Sequence, residues 1–225
     1  MNIFENKPEL GKGIFTPSEI AEILRLPKQT VQRWIHEYWD GTLGKAFERR
    51  YSWKVDGAKA VSFHTFVELY VMMKFSKHGV KPKQILKAHE VLQEKFKTPF
   101  PFAHKDIPDS IATDGKRIYF KDEDGVFLTL DGTEQFTLEL ITLFFKNLDF
   151  DADDLANRYW PMGKDRSVVI DPKRKFGHPV IEPTNIYPQT LYGLYTAGDP
   201  IPYIASIYDL KESVVQDAID YCKAA

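Results

Sequence analysis

Apolar side chains recur with helical spacing along most of the chain, and strict alternation is confined to one short region. That region surrounds the turns Asp114-Gly115 and Asp124-Gly125, which predict a β-hairpin. We therefore predict a mainly α chain with a small β component. The predicted helices are two within 14–39, then 63–77, 82–96, about 136–147, 188–197, 202–208 and 211–222.

Clusters of proline and glycine divide this pattern into three units. A loop at 98–108 and a second one at 161–186 are the candidate boundaries. We predict an N-terminal domain over 1–97, an acidic connector with a hairpin and a helix over 98–160, and a three-helix domain over 161–225.

The N-terminal pattern favours a helix-turn-helix. Thr16 and Glu19 form a capping-box sequence with Pro17 at the first helical position. Leu26-Pro27 is predicted to make the turn and to fill the angle between the two helices. In the second helix, Val31, Trp34, Ile35 and Tyr38 fall on one side at about 100° per residue, and this side should face the core.

The opposite side of that helix carries amide, guanidinium and imidazole groups, which suit base edges in a DNA major groove. The open alternative is an ordinary helical hairpin with a polar surface. The candidate DNA-binding residues of this helix are Lys28, Gln29, Thr30, Gln32, Arg33 and His36.

A basic and aromatic stretch follows. Lys45, Arg49, Arg50 and Lys54 lie among Phe47, Tyr51 and Trp53, and they complete the list of candidate DNA-binding residues. We expect a two-stranded wing before Val61, with the aromatic rings inward and the basic groups near phosphates. An irregular basic loop would have a similar composition.

Charge is unevenly distributed, although the net charge is only −2. Residues 1–105 hold 18 Lys and Arg against 11 Asp and Glu, whereas 106–160 hold 5 against 13 and 161–225 hold 7 against 8. A basic first part suits phosphate contacts. The division predicts that a fragment 1–105 binds double-stranded DNA and that a fragment 106–225 does not.

Motifs for catalysis or metal binding are not recognisable. The carboxylates of Asp149, Asp151, Asp153 and Asp154 are interpreted as the acidic start of a helix rather than a cation loop. His89, on an apolar stripe, is interpreted as a satisfied core histidine. We predict no catalytic residue, no metal and no cofactor, with an acidic-site nuclease as the least favoured alternative. The histidines are His36, His64, His78, His89, His104 and His178.

The chain contains one cysteine, Cys222, which excludes an internal disulfide and a cysteine-based zinc site. No stretch reaches the roughly 20 apolar residues of a membrane span, and the N-terminus lacks a signal-peptide core. We therefore expect a cytoplasmic protein with no membrane partner.

The C-terminal helices also have a helix-turn-helix spacing. They are predicted to present Asp209, Glu212, Asp217 and Asp220, with Lys211 as the main opposing charge. Carboxylates facing phosphates are unfavourable, so a protein contact is favoured over a second DNA-reading surface.

Two segments resemble known families. The residues ending at Phe66 resemble the winged helix-turn-helix of MerR-type regulators, although the long dimerisation coiled coil of those proteins is missing. The C-terminal part resembles a small antitoxin-family domain with a homeodomain-like three-helix unit. Its matching positions are Ile170-Asp171-Pro172, Gly177 to Ile181, Thr184 to Ile186, Gly198, Ile204-Ala205 and Val214 to Tyr221.

The combined order resembles a subgroup of VapB-type antitoxins, to which the loop from Thr98 to Ala103 and the Thr-Asp-Gly turn also belong. The resemblance implies a homodimeric antitoxin that binds its operator, represses its own operon and neutralises a PIN-type ribonuclease toxin. The alternative is a stand-alone MerR-like regulator without a toxin partner.

Overall fold

The computed structural model describes residues 11–55, 57–77, 79–113, 117–122, 125–131 and 142–224. The N-terminal part begins with α1 (Pro17–Leu24) and continues with α2 (Lys28–Arg33). Without a break, α2 passes into a π-helical segment (Trp34–Leu43) and a last helical turn, α3 (Gly44–Ala46). We call the continuous stretch 28–46 the second helix.

The second helix is longer than predicted. It continues through two glycines, Gly41 and Gly44, at which a helix was expected to stop. The sequence prediction ended it at residue 39, before Gly41 and Gly44, and that end is wrong. Gly44 meets the returning chain so closely that a Cβ atom there would lie 2.6 Å from the carbonyl oxygen of Arg49. The backbone nitrogen of Arg49 donates to the oxygen of Gly44 at 2.8 Å. Gly44 therefore permits a close backbone contact rather than ending the helix.

An antiparallel hairpin of β1 (Ser52–Val55) and β2 (Ala58–Val61) comes next, with Trp53 opposite Ala60. Two long helices follow, α4 (Phe63–Lys77) and α5 (Pro82–Phe96), with the predicted bounds. The hydroxyl of Ser62 accepts the backbone N–H of Thr65, as expected of a helix cap.

The middle of the chain contains a three-stranded antiparallel sheet. A 3₁₀ turn (Pro101–Ala103) and α6 (Ile107–Ser110) precede β3 (Ile111–Thr113), β4 (Arg117–Asp122) and β5 (Gly125–Asp131). Asp114, Gly115 and Asp124 of the predicted turns lie outside the described residues. Of the helix predicted at about 136–147, the described part is helical over 142–146, and we label it α7.

The acidic run lies in a sheet, so its interpretation as a helix start is wrong. It spans β6 (Leu148–Phe150), a turn, and β7 (Ala156–Tyr159). In the turn, Asp151 accepts the backbone N–H of Ala152 and Asp153 accepts that of Leu155. Such side-chain bonds to the following backbone favour turns over helices. The sheet is completed by β8 (Val168–Ile170) and β9 (Pro179–Ile181), in the order β6-β7-β8-β9.

The chain ends in three helices, α8 (Pro188–Thr196), α9 (Ile201–Tyr208) and α10 (Glu212–Ala224). They share a small apolar core in which Val168 and Ile181 of the sheet meet Leu191, Ile204 and Ile219. A larger core runs from Phe15 to Ile170 and contains residues of all three predicted units, since Ile170 belongs to the third. The boundary predicted between residues 160 and 161 falls within the four-stranded sheet. Within the described residues, no helix combines the length and apolarity needed to cross a membrane.

Candidate nucleic-acid interface

The first helix starts with the predicted capping box. The backbone nitrogen of Thr16 donates to Oε2 of Glu19 at 2.7 Å, and the backbone nitrogen of Glu19 donates to the Thr16 hydroxyl at 3.4 Å. Both contacts satisfy N–H groups that the first turn leaves free. The start of α1 is thus fixed at Pro17.

The turn between the helices differs in one respect from the prediction. Arg25 takes the left-handed conformation (φ 52°), and its backbone N–H caps the end of α1. Leu26 packs against the core, whereas Pro27 is exposed. Leu26 alone therefore fills the angle between the helices, and Pro27 only starts the second helix.

The second helix has one buried and one exposed side, as its spacing predicts. Val31 and Ile35 are fully buried, Trp34 is 5% exposed, and Tyr38 is partly buried against the core. Of the candidate DNA-binding residues, Thr30 is half-buried and the other five are exposed, namely Lys28, Gln29, Gln32, Arg33 and His36. The structure therefore brings a row of hydrogen-bond donors together on the solvent side of one helix.

Asp40 attaches the hairpin to this helix. Its Oδ1 accepts the backbone N–H groups of Tyr51 at 3.2 Å and Ser52 at 3.1 Å. Its Oδ2 accepts the Ser52 hydroxyl at 2.6 Å and lies 2.9 Å from Nζ of Lys59. Partial burial raises the pKa of Asp40, but the bonds from Ser52 and Lys59 outweigh it and lower the pKa overall. Asp40 is thus a charged anchor that both strands of the hairpin share.

Glu68 of α4 forms a second, fully buried anchor. Its carboxylate accepts the indole N–H of Trp39 at 2.7 Å and contacts Nε2 of His89 at 3.0 and 3.1 Å. The backbone N–H of Phe102 lies 3.4 Å from the same carboxylate. A buried carboxylate with three donors is well satisfied. It joins the second helix, α4, α5 and the loop after α5 at one point.

His89 is a buried core histidine, as predicted, but only one of its two ring nitrogens has a hydrogen-bond partner. The side chain is fully buried and its Nε2 contacts Glu68. Its Nδ1 has no hydrogen-bond partner, because aromatic rings surround it: Trp39, Tyr51 and Phe102 all pack edge-on.

The remaining basic candidates are exposed but do not share one element. Lys45 lies in the last turn of the second helix, so its placement in the wing is wrong. Arg49 and Arg50 precede the hairpin, and Lys54 is in β1. The guanidinium of Arg49 lies over two rings, 5.1 Å from the centroid of Phe100 and 5.7 Å from that of Tyr51. No such contact holds Arg50 among the described residues. Tyr51 is buried and Phe47 packs on the core, as expected of inward-facing aromatics.

Sequence reasoning missed both Asp40 and Glu68. A signal for Glu68 existed, because it is the single acidic residue within the apolar helix FHTFVELYVMMKF, and a carboxylate is seldom buried unless it is paired. The partners of Asp40 lie 11 to 19 residues away in the chain, and no local pattern indicates them.

Three of the four aspartates in the acidic run form ion pairs with lysines. Asp149, Asp151 and Asp154 pair with Lys164, Lys173 and Lys105, respectively. The carboxylates of these three aspartates, which the acidic-site nuclease alternative would use, are therefore held in ion pairs. Within the described residues, no cluster of three or more potential metal ligands occurs.

The prediction that the C-terminal helices present all four carboxylates is wrong for one of them. Asp217 is buried, accepts the backbone N–H of Ser167 at 2.8 Å, and pairs with Nε of Arg166 at 3.1 Å. The same guanidinium contacts Asp220 at 2.5 Å. Arg166, from the loop before β8, therefore neutralises this part of α10.

Two protein-family models match parts of the chain. A homeodomain-like domain matches residues 14–44, which cover α1 and nearly all of the second helix. A protein family of unknown function, DUF433, matches residues 168–222, from β8 into α10. The chain therefore contains a homeodomain-like helix-turn-helix region and a C-terminal segment similar to DUF433.

Two proteins of Mycobacterium tuberculosis are similar over nearly the whole chain. "Putative antitoxin VapB45" is 22% identical, with 92% of each chain covered. "Uncharacterized protein Rv2308" is 23% identical and covers 95% of this chain and 92% of its own length. The crystal structure of Rv2018 from the same organism superposes with a TM-score of 0.65 at 19% identity, over 92% of this chain and 97% of that chain. The overall fold of this chain is therefore that of Rv2018. The helix-turn-helix region lies near the N-terminus of this chain, at residues 14–44.

Proposed function

We propose that this protein is a DNA-binding antitoxin that represses its own operon and neutralises a PIN-type ribonuclease toxin. The observation that carries the DNA-binding part is the division of the second helix. Val31, Trp34 and Ile35 are buried, while Gln29 and Arg33 are exposed. Amide and guanidinium groups in that position pair bidentately with adenine and guanine in the major groove.

The elements after the second helix extend this interface. A hairpin and two helices follow in the order of a MerR-like winged helix-turn-helix. We assign base contacts to the second helix and phosphate contacts to the hairpin region. The DNA-binding residues that we propose are Lys28, Gln29, Thr30, Gln32, Arg33, His36, Lys45, Arg49, Arg50 and Lys54.

The antitoxin part is supported by the similarity to "Putative antitoxin VapB45" along 92% of both chains. Residues 106–160 hold 13 Asp and Glu against 5 Lys and Arg, so this segment keeps an excess of carboxylates beyond the three that pair with Lys105, Lys164 and Lys173. Such an excess fits a contact with an RNA-binding surface, because carboxylates imitate phosphate charge. A homodimer is part of the proposal, since two recognition helices read two half-sites of one operator.

A stand-alone MerR-like regulator is the second candidate. It is favoured by the hairpin, α4 and α5 directly after the second helix, an arrangement that serves DNA binding without a toxin. The two candidates differ in whether the protein inhibits a ribonuclease.

One experiment separates them with the full-length chain. The product of the adjacent reading frame is assayed for RNA cleavage at increasing concentrations of wild type or Arg33→Ala. In parallel, both proteins are titrated with the DNA upstream of their own coding region. We expect both to inhibit cleavage at a stoichiometric ratio, and only wild type to bind the upstream DNA tightly. DNA binding without inhibition supports the stand-alone regulator, and inhibition without DNA binding contradicts the proposed repression.

A further inference from the structure

A cavity of about 370 Å³ lies between the helix-turn-helix and the C-terminal part. Residues of α1 form one wall and residues of α4 form the second. The third wall comes from the part of the chain after residue 158, with Tyr159, Met162, His178 and Tyr221. This volume falls within the range of about 300–1,000 Å³ that is typical of small-molecule sites.

Close packing beside the cavity fixes its walls. A Cβ atom at Gly177 would lie 2.6 Å from the ring of Phe15, so only glycine lets this turn reach the N-terminal core. The backbone nitrogen of Ile14 donates to the oxygen of Phe176 at 2.7 Å. The cavity is therefore bounded by two parts of the chain that are bonded to each other.

Two lysines of α4 give the cavity a positive side. Lys74 is half-buried, and its Nζ lies 5.0 Å from the ring centroid of Tyr70. Burial and the neighbouring Lys77 lower the pKa of Lys74. Within the described part of the chain, neither lysine forms an ion pair. An anion in the cavity would supply the missing opposite charge.

Three tyrosines of the cavity wall offer hydroxyl groups. Tyr70, Tyr159 and Tyr221 have no hydrogen-bond partner for these hydroxyls among the described residues. Burial raises the pKa of each, to about 12 for Tyr159, so all three keep their protons at neutral pH. The Tyr70 ring is stacked on Phe144 with centroids 3.5 Å apart, which fixes its position.

The acidic side chains of the cavity wall differ from the two lysines in their partners and their exposure. Glu19 is occupied by Thr16 and lies 3.5 Å from Nδ1 of His178. Glu22 of α1 is exposed, and its charge contributes to the raised pKa of Tyr221, so this carboxylate lies near the Tyr221 hydroxyl. Beside it, the guanidinium of Arg25 donates to the carbonyl oxygen of Ala224. Among the described wall residues, the half-buried charge without an ion-pair partner is therefore that of Lys74, which is positive.

We propose that this cavity binds a small amphipathic anion, with a carboxylate near Lys74 and the tyrosine hydroxyls and an aromatic or aliphatic body against Met73 and Met162. Among the described residues these ammonium and phenol groups are donors without an acceptor, and a carboxylate accepts from both. The apolar wall residues favour a ligand that is more than a simple inorganic anion. We infer the site from the cavity residues alone, whether or not the chain binds DNA or a toxin.

The test uses isothermal titration of the full chain with three probes of similar shape. These are indole-3-acetate, its neutral amide and the cation tryptamine. We expect indole-3-acetate to bind most tightly, and Lys74→Gln to weaken its binding at least tenfold. The matched control is Lys87→Gln, since Lys87 is an exposed lysine of α5 whose replacement leaves the cavity intact.

Tyr221→Phe provides a second variant, because it removes one donor without changing the ring. We expect it to weaken indole-3-acetate binding about threefold or more. Three results overturn the proposal: no binding of indole-3-acetate at millimolar concentration, equal binding by wild type and both cavity variants, or a preference for tryptamine over indole-3-acetate.

Discussion

The indole nitrogen of Trp39 lies 2.7 Å from Oε2 of Glu68, and this bond connects the second helix to the centre of the larger core. Both side chains are fully buried. Trp39 lies six positions after Arg33, which is on the exposed side of the same helix. The orientation of the proposed base-reading residues thus depends on a fully buried carboxylate.

Replacement of Glu68 by alanine should destabilise the fold strongly. It leaves the indole of Trp39, His89 and the backbone N–H of Phe102 without their shared acceptor. We expect the free energy of unfolding to fall by about 3–5 kcal/mol, as for other broken buried charge contacts. Urea denaturation followed by circular dichroism measures this. The control is Glu94→Ala, an exposed glutamate of α5, for which we expect a change within about 0.5 kcal/mol. Equal effects of both variants would contradict the role of Glu68.

Asp40→Asn should loosen the hairpin in a pH-dependent way. The folded pKa of Asp40 lies below its ordinary 3.8, so its carboxylate stabilises the fold fully above about pH 4. This stabilisation disappears as the pH falls through the lower, folded pKa. At pH 7 we expect Asp40→Asn to cost about 1–3 kcal/mol.

The measurement is urea denaturation of wild type and Asp40→Asn between pH 7 and pH 2. The difference between them should be constant down to about pH 4 and shrink below it. A difference that grows on acidification would have the wrong sign for a carboxylate with a lowered pKa.

The substitutions Arg49→Ala and Arg50→Ala should have different effects on folding stability but the same effect on DNA binding. Arg49→Ala removes a guanidinium from the rings of Phe100 and Tyr51, which costs about 0.5–1 kcal/mol of folding free energy. Arg50→Ala should leave the unfolding midpoint unchanged. Each variant should weaken specific and non-specific DNA binding alike and reduce the salt dependence by about one unit.

Anisotropy titrations at several salt concentrations, together with thermal unfolding of the same samples, provide the readout. A loss of sequence preference in Arg50→Ala without a change in salt dependence would show a base contact instead of a phosphate contact.

Local periodicity was sufficient to predict α4, α5 and the buried side of the second helix. Each of these elements depends on apolar residues within a few turns of one another, such as Val31, Trp34 and Ile35. The end of the second helix was predicted wrongly, because Gly41 and Gly44 interrupt the helical pattern of the sequence. The helix continues past both glycines and is closed by the left-handed residue Glu48 and the bond from the Arg49 nitrogen to the Gly44 oxygen.

The distribution of charge along the chain did not predict which residues fold together in one core. The prediction that fragments 1–105 and 106–225 divide the functions assumes that each folds alone. Phe102 and Phe120 lie on opposite sides of that cut, yet both pack on Phe75 in one core. A cut at residue 105 would expose this core, so the division of labour has to be tested with point variants in the full chain. Likewise, Arg166 and Asp217 are 51 residues apart, and no local pattern predicts their pairing.

The central claim is that the exposed side of the second helix reads DNA bases, and Arg33 tests it most directly. Anisotropy titrations compare wild type, Arg33→Ala and the control Lys87→Ala on the DNA upstream of the coding region and on an unrelated duplex. We predict that Arg33→Ala loses about 1–3 kcal/mol on the upstream DNA, roughly 5- to 150-fold in affinity, and far less on the unrelated duplex. Lys87→Ala should bind both as wild type does. An unchanged affinity of Arg33→Ala for the upstream DNA would contradict the claim.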